Sequence, residues 1–186
     1  EVFDGEQTLE LLDKAAAFFK EKLDKKASVV FVGTQPAAKD LIKSFAEKYN
    51  HHYVTERWLG GTLTNFKVIS KRVEYFVKLK ADKAAGRLDK YTKKERLKLD
   101  EQIQKLSRTL SGIEKMNHLP EALFVVDVEA HRTAVREAIR INIPIIGIAN
   151  SDSDPDGISY IIPANDNSKT SLAWILEYIE KKLVNS

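Results

Sequence analysis

Ala122-Leu123-Phe124-Val125-Val126-Asp127 and Pro144-Ile145-Ile146-Gly147-Ile148-Ala149 are two continuous apolar runs, separated by residues 128–143. Neither run alternates apolar with polar residues, which is how a strand covered on both faces of a parallel sheet reads. Between them Ala134, Ala138 and Ile141 recur at helical spacing, so residues 130–141 predict a helix facing inward along that line. Strand, crossover helix and parallel strand are the repeating unit of an α/β domain.

The same alternation continues outward in both directions. Toward the N-terminus, Leu9, Leu12, Ala16, Phe19 and Leu23 fall three and four apart, predicting an amphipathic helix over residues 6–26 that buries this face. Ser28-Val-Val-Phe-Val-Gly33 predicts a short strand. Pro36 suits the first turn of the next helix, whose inward face would hold Ala38, Leu41, Ile42, Phe45 and Tyr49. Residues 52–55 predict a second strand. Toward the C-terminus, Tyr160-Ile-Ile-Pro163 predicts a fifth strand, at an edge because proline cannot donate to a ladder. Residues 169–183 predict a last helix burying Leu172, Ile175, Ile179 and Leu183. The fold class is therefore α/β, a three-layer parallel sheet of the flavodoxin or Rossmann kind.

Residues 66–115 follow another pattern. Phe66, Ile69, Val73 and Phe76 form one narrow apolar seam, and Leu99, Ile103, Leu106, Leu110 and Ile113 form a second. Two such seams with a turn near residues 85–89 predict an inserted antiparallel helical hairpin, a coiled-coil arm. Thr92-Lys-Lys-Glu95 is a capping box that opens its second helix. Extended over residues 92–115, that helix would be roughly 35 Å long and would project from the sheet domain. The domain organisation expected is 1–65 with 116–186 as the α/β unit and 66–115 as the insert.

Charge follows the same division. Residues 67–115 carry 15 Lys and Arg against 7 Asp and Glu, a net of +8, whereas the other 137 residues carry 15 against 20, a net of −5. A segregated basic segment is an electrostatic footprint for a polyanion. The basic residues expected to meet phosphates are Arg57, Lys67, Lys71, Arg72, Lys78, Lys80, Lys83, Arg87, Lys90, Lys93, Lys94, Arg96 and Lys98. Phosphate contacts of this kind position a protein without reading bases. Phe66 and Phe76 are needed for the seam, which leaves Trp58 and Tyr91 freer to stack on bases.

Other chemistries find little support. With 186 residues and no cysteine, the chain has no disulfide framework, thiolate zinc site or cysteine nucleophile. Its longest apolar stretches, 143–149 and 158–164, fall far short of the roughly 18 residues that span a bilayer. Glu1-Val-Phe-Asp4 holds no basic leader and Met116 is the sole methionine, so the natural start is expected to be missing. Gly33 follows a strand but lacks the further glycines of a dinucleotide loop or a P-loop. Asp152, Asp154, Asp156 and Gly157 imitate the start of a calcium loop, yet Pro163 stands where a bidentate glutamate is required. His51, His52, His118 and His131 show no metalloprotease spacing, and no G-x-S-x-G elbow is present. No catalytic residue, metal ligand or cofactor is expected.

Phe31-Val-Gly-Thr34, Arg57-Trp-Leu-Gly-Gly-Thr-Leu-Thr-Asn-Phe66, Leu119-Pro-Glu-Ala-Leu-Phe-Val-Val-Asp127 and Asp154-Pro-Asp156 occur in this order. Together they closely resemble the bacterial-type small-subunit ribosomal protein S-two family along nearly the whole chain. The resemblance implies a parallel α/β domain with a projecting hairpin. It also implies a non-catalytic role in translation, binding small-subunit rRNA and neighbouring ribosomal proteins, with ribosomal protein S-one among those docked. It implies a cytoplasmic ribosome, with an organellar ribosome as the other setting, and no membrane or small-molecule partner. The family's Gly/His-rich segment ahead of the first helix is absent from this sequence, and Ser153 stands where the family often has cysteine or asparagine. Two other readings compete: a nucleotide- or sugar-phosphate-binding enzyme using the loop at Gly33, and a protein-docking scaffold built on the hairpin.

Overall fold

A computed structural model describes residues 5–150 and 152–184. Residues 1–4, on which the expectation of a missing start rests, and Ser151 of the acidic turn lie outside the described residues. Strands β1 (Val29–Val32), β2 (His52–Val54), β3 (Ala122–Val126), β4 (Ile145–Ala149) and β5 (Tyr160–Pro163) make one sheet. Its order is β2-β1-β3-β4-β5 and every pairing is parallel. β5, with Pro163, is an edge strand as its proline demands. Helices α1 (Gly5–Asp24), α2 (Lys39–Lys48), α3 (Phe66–Ala84), α4 (Lys93–Leu110), α5 (Arg132–Arg140) and α6 (Lys169–Val184) complete the described elements, with a short 3₁₀ turn at Ser111–Ile113.

The continuous apolar runs are explained by two cores, one on each face of the sheet. Val29, Phe31, Phe124, Val126, Ile146, Ile148 and Ile162 point to α1, α2 and α6, against Leu12, Phe19, Ile42, Phe45, Leu172 and Ile175. The alternate residues Val30, Val32, Leu123, Val125 and Ile145 point the other way, to α5 and to the ends of α3 and α4 nearest the sheet, against Ala134, Val135, Ile69, Leu110 and Ile113. Period two along each strand, with apolar residues at both parities, therefore gives three layers.

Several helix details differ from the sequence expectation. Leu9 is 41% exposed, because α1 rests on the sheet through Leu12, Ala15, Ala16 and Phe19 instead. Pro36 lies in a turn ahead of α2, which begins at Lys39 after the amides of Ala38 and Lys39 have bonded to the Gln35 carbonyl. α4 stops at Leu110 instead of residue 115, and at about 1.5 Å per residue it is about 27 Å long. Along its seam Leu99, Ile103 and Leu106 are half-buried, whereas Leu110 and Ile113 are enclosed. α3 and α4 touch through the Lys83–Asp100 ion pair at 2.8 Å and the Tyr75 hydroxyl donating to Gln102 at 3.1 Å. The Thr92/Glu95 capping box forms with both of its hydrogen bonds.

α1, α2, α3 and α5 end alike. Lys26, Asn50, Gly86 and Asn142 adopt positive φ. The following amides, of Ala27, His51, Arg87 and Ile143, then bond the carbonyls of Lys22, Ala46, Asp82 and Ala138. After α2 this stop delivers His51 to the sheet, where its Nδ1 accepts the Val29 amide at 3.2 Å. That bond requires a neutral ring, and burial, reinforced by the neighbouring His52, pushes the His51 pKa down to about 4. The unfolded chain takes up the proton near pH 6.5, so His51 contributes stability above that pH and loses it as pH falls toward 4. Burial lowers the pKa of His52 and His131 in the same direction. Urea midpoints between pH 7 and 4 should therefore fall, with His51 contributing on the order of 1–3 kcal/mol. His51→Asn, which keeps an acceptor but cannot titrate, should flatten this slope.

Candidate nucleic-acid interface

The loop at residues 57–65 leads from β2 to α3, and its shape is set by one carboxylate. Glu137 lies on the inward face of α5 and is 8% exposed. Its Oε2 accepts the Trp58 indole N–H at 2.8 Å and the Gly61 amide at 3.1 Å. Its Oε1 accepts the amides of Leu63 and Thr64, both at 3.1 Å, and the Thr64 hydroxyl at 3.0 Å. Burial raises the pKa of this group, and the donors from Trp58, Thr64, Gly61 and Leu63 more than reverse that, leaving it below the usual carboxylate range. Of the paired glycines, Gly61 is the one the turn requires: its φ is +92°, and a β-carbon there would lie 3.1 Å from that of Asn65, whereas Gly60 has open space. The Trp58 indole N–H is thus committed to Glu137, while its half-buried side chain still borders the hollow beside Arg57.

Beyond this loop the expected cations divide into groups. Arg57 is exposed and borders a hollow of about 250 Å³ with Thr34, Trp58, His131 and Thr133, away from the others. On α3, Lys67, Lys71 and Lys78 fall within about 40° of one another around the helix at 100° per residue. Arg72 lies farther round, and all four are exposed. At the far end, Lys83, Lys93 and Arg96 share a groove of about 520 Å³ with Leu88, Leu97 and the acidic Asp89 and Asp100. Lys90, Lys94 and Lys98 are exposed around it, with the Lys90 ammonium 5.3 Å from the Tyr91 ring.

Three of the thirteen are already paired within the chain. Lys80 bonds Glu114 at 2.6 Å and lies 4.5 Å from the Phe76 ring centre, Lys83 bonds Asp100, and Arg87 bonds Asp82 at 2.7 Å. The Lys83 and Arg87 pairs are exposed and of the weak kind, whereas the Lys80–Glu114 pair is part-buried. Sequence reasoning omitted Lys105, Arg108 and Lys115, which are exposed on or just beyond α4. It also missed Glu137, although an acidic residue three positions after Ala134 on an inward face was a readable sign.

The geometry argues against the enzyme reading. A β-carbon on Gly33 would meet Ile42 at 3.1 Å and Ala38 at 3.2 Å, so this glycine serves strand-to-helix packing. The strand order reverses between β1 and β3, the place where doubly wound sheets bind ligands. There the Gln35 amide donates to the Asp127 carboxylate, and the Thr34 hydroxyl lies 3.4 Å from His131 Nε2. In the acidic turn, Asp154 accepts the Asp156 amide while its own amide donates to Glu129, so the turn is bonded within itself and to the segment after β3. Among the described residues no three His, Cys, Asp or Glu are placed to share a metal ion, and no helix is long and apolar enough to cross a membrane.

The family model described as ribosomal protein S2 matches residues 1–186. The chain belongs to the ribosomal protein S2 family. Small ribosomal subunit protein uS2 of Hahella chejuensis is 44% identical over 167 residues, covering 90% of this chain and 66% of that protein. The uS2 protein of Thermus thermophilus is 40% identical over 175 residues, 94% of this chain and 68% of that protein. That of Karelsulcia muelleri is 37% identical over 185 residues, covering 83% of its length. The chain thus spans about two thirds of the length of the first two. Members of the S2 family are structural components of the ribosome and not enzymes.

Proposed function

We propose that this chain is a structural constituent of the small ribosomal subunit, acting in translation as part of the cytoplasmic ribosome. The observation that carries the reading is the S2 family match over residues 1–186, on a chain whose residues 67–115 hold a net charge of +8. In this reading residues 66–115 are a basic hairpin arm inserted in the α/β domain formed by 1–65 and 116–186. The Lys83–Asp100 and Tyr75–Gln102 contacts support an antiparallel arrangement. Arg57 and the cations of α3, α4 and their connection neutralise rRNA phosphates, while the acidic body meets neighbouring ribosomal proteins. Docking of ribosomal protein S-one is part of the proposal and rests on the family resemblance alone.

The test is co-sedimentation with small subunits that lack their own copy, repeated across salt concentrations. Binding should saturate at one copy per subunit and weaken linearly on a log–log plot, by about 0.7 to 0.9 per phosphate contact. Replacing Lys67, Lys71, Lys78, Lys93, Lys94 and Lys98 together by glutamine should lower the slope by about 4 to 5. An unchanged slope would remove these residues from the interface. Binding by no folded preparation would remove the ribosomal reading.

A further inference from the structure

The Glu137 carboxylate does more than satisfy a turn. It lies in α5, which is packed on the sheet through Ala134, Val135 and Ala138, and it grips the segment that opens directly into α3. Leu63 and Thr64, two of the residues it holds, come just before the α3 N-cap Asn65. The other root of the arm is pinned separately, where Gly112 abuts Tyr53 of β2. The first turns of α3 also enter the core through Ile69 and Val73, so what the carboxylate adds is the angle at which α3 leaves the sheet.

We propose that Glu137 is a positioning residue that fixes the bearing of the α3–α4 arm, and with it Arg57, on the sheet domain. The cations then meet a folded RNA as one preorganised surface. This inference rests on the reading of residues 66–115 as an RNA-binding arm. Five donors converge on two oxygens, so geometry and charge are both demanded. Glutamine at this position keeps the volume but turns an N–H₂ toward donors that need an acceptor, and this breaks the bonds of at least one oxygen.

The absence of cysteine allows two spin labels to be placed cleanly, through Ala85→Cys at the far end of α3 and Asp40→Cys on α2. In Glu137→Gln the distance distribution between them should broaden and shift. The amides of Gly61, Leu63 and Thr64 should exchange about tenfold faster or more. The Trp58 indole proton resonance should move, and affinity for small subunits should fall about 3- to 10-fold through lost preorganisation. Leu172→Val, which loosens the opposite core, serves as the control for simple destabilisation and should leave the distribution unchanged. An unaltered distribution in Glu137→Gln, or an equal broadening in Leu172→Val, overturns the proposal. Broadening with unchanged affinity overturns its link to RNA. Failure of the wild-type chain to bind subunits strikes instead at the ribosomal reading, and the label distances and exchange rates still decide the role of Glu137.

Discussion

Phe31→Ala should cost about 3–5 kcal/mol, a large share of the 5–15 kcal/mol that holds a typical domain together. Phe31 sits on β1, one strand in from the β2 edge of the sheet, and is wholly buried. Its ring lies 5.0 Å from that of Phe124, 5.5 Å from Phe45 and 5.6 Å from Phe19, the last edge-on, with the His51 ring at 5.9 Å. Truncation removes the apolar area and the aromatic contacts at once. The neighbours come from β3, α2 and α1, so no single element can slide in to close the space. Urea denaturation would show it as a lower midpoint with little change in slope. A loss under about 1 kcal/mol would mean that the aromatic cluster repacks freely, contrary to the interior packing expected.

The second large effect is steric. A β-carbon on Gly112 would lie 1.9 Å from the Tyr53 carbonyl oxygen and 2.6 Å from its ring, closer than any real contact. The obstacle is the backbone of a strand, which cannot rotate away. Gly112 does not need a positive φ, so its requirement is proximity and not backbone freedom. Gly112→Ala should destabilise by about 3 kcal/mol or more, whereas Gly60→Ala, whose new carbon meets nothing within 4 Å, should be close to neutral. Melting curves of the two side by side provide the check. Equal midpoints would show that the 3₁₀ turn can lift off β2 at no cost.

Gly112 also shows where the sequence stopped being readable. The Leu99-to-Ile113 spacing describes a helix running on to residue 115, and the one local sign against it is Gly112, a weak helix former. Where α4 gives way to the 3₁₀ turn, Gly112 lies against Tyr53, a residue 59 positions earlier in the chain. The strands were legible because burial on both faces forces uninterrupted apolar runs such as 122–126 and 145–149. The capping box was legible because its two bonds lie within four residues. Leu9 was misjudged because a stripe recurring every three or four residues does not tell where the helix first reaches the sheet. In the candidate interface, the cations and their exposure could be read from charge, but their sorting into the α3 stripe, the far groove and the isolated Arg57 could not. Glu137 was overlooked for a related reason: its inward position could be read, but three of its five donors are backbone amides, which have no signature in a sequence, and the two side-chain donors lie over 70 residues away.

The strand order carries a consequence for how the chain reaches this structure. β1 pairs with β3, Val29 facing Ala122, so the innermost pairing closes a loop of roughly 90 residues. About half of that loop is α3, α4 and their connection, whose contacts with each other are near in sequence and whose second helix is capped by its own residues. Such local structure forms before distant strands meet. Once it has formed, the ends of residues 66–113 are drawn together, and β1 and β3 search for each other across a much shorter effective tether. The same segment that carries the charge thereby also serves as an internal splint for assembly of the sheet.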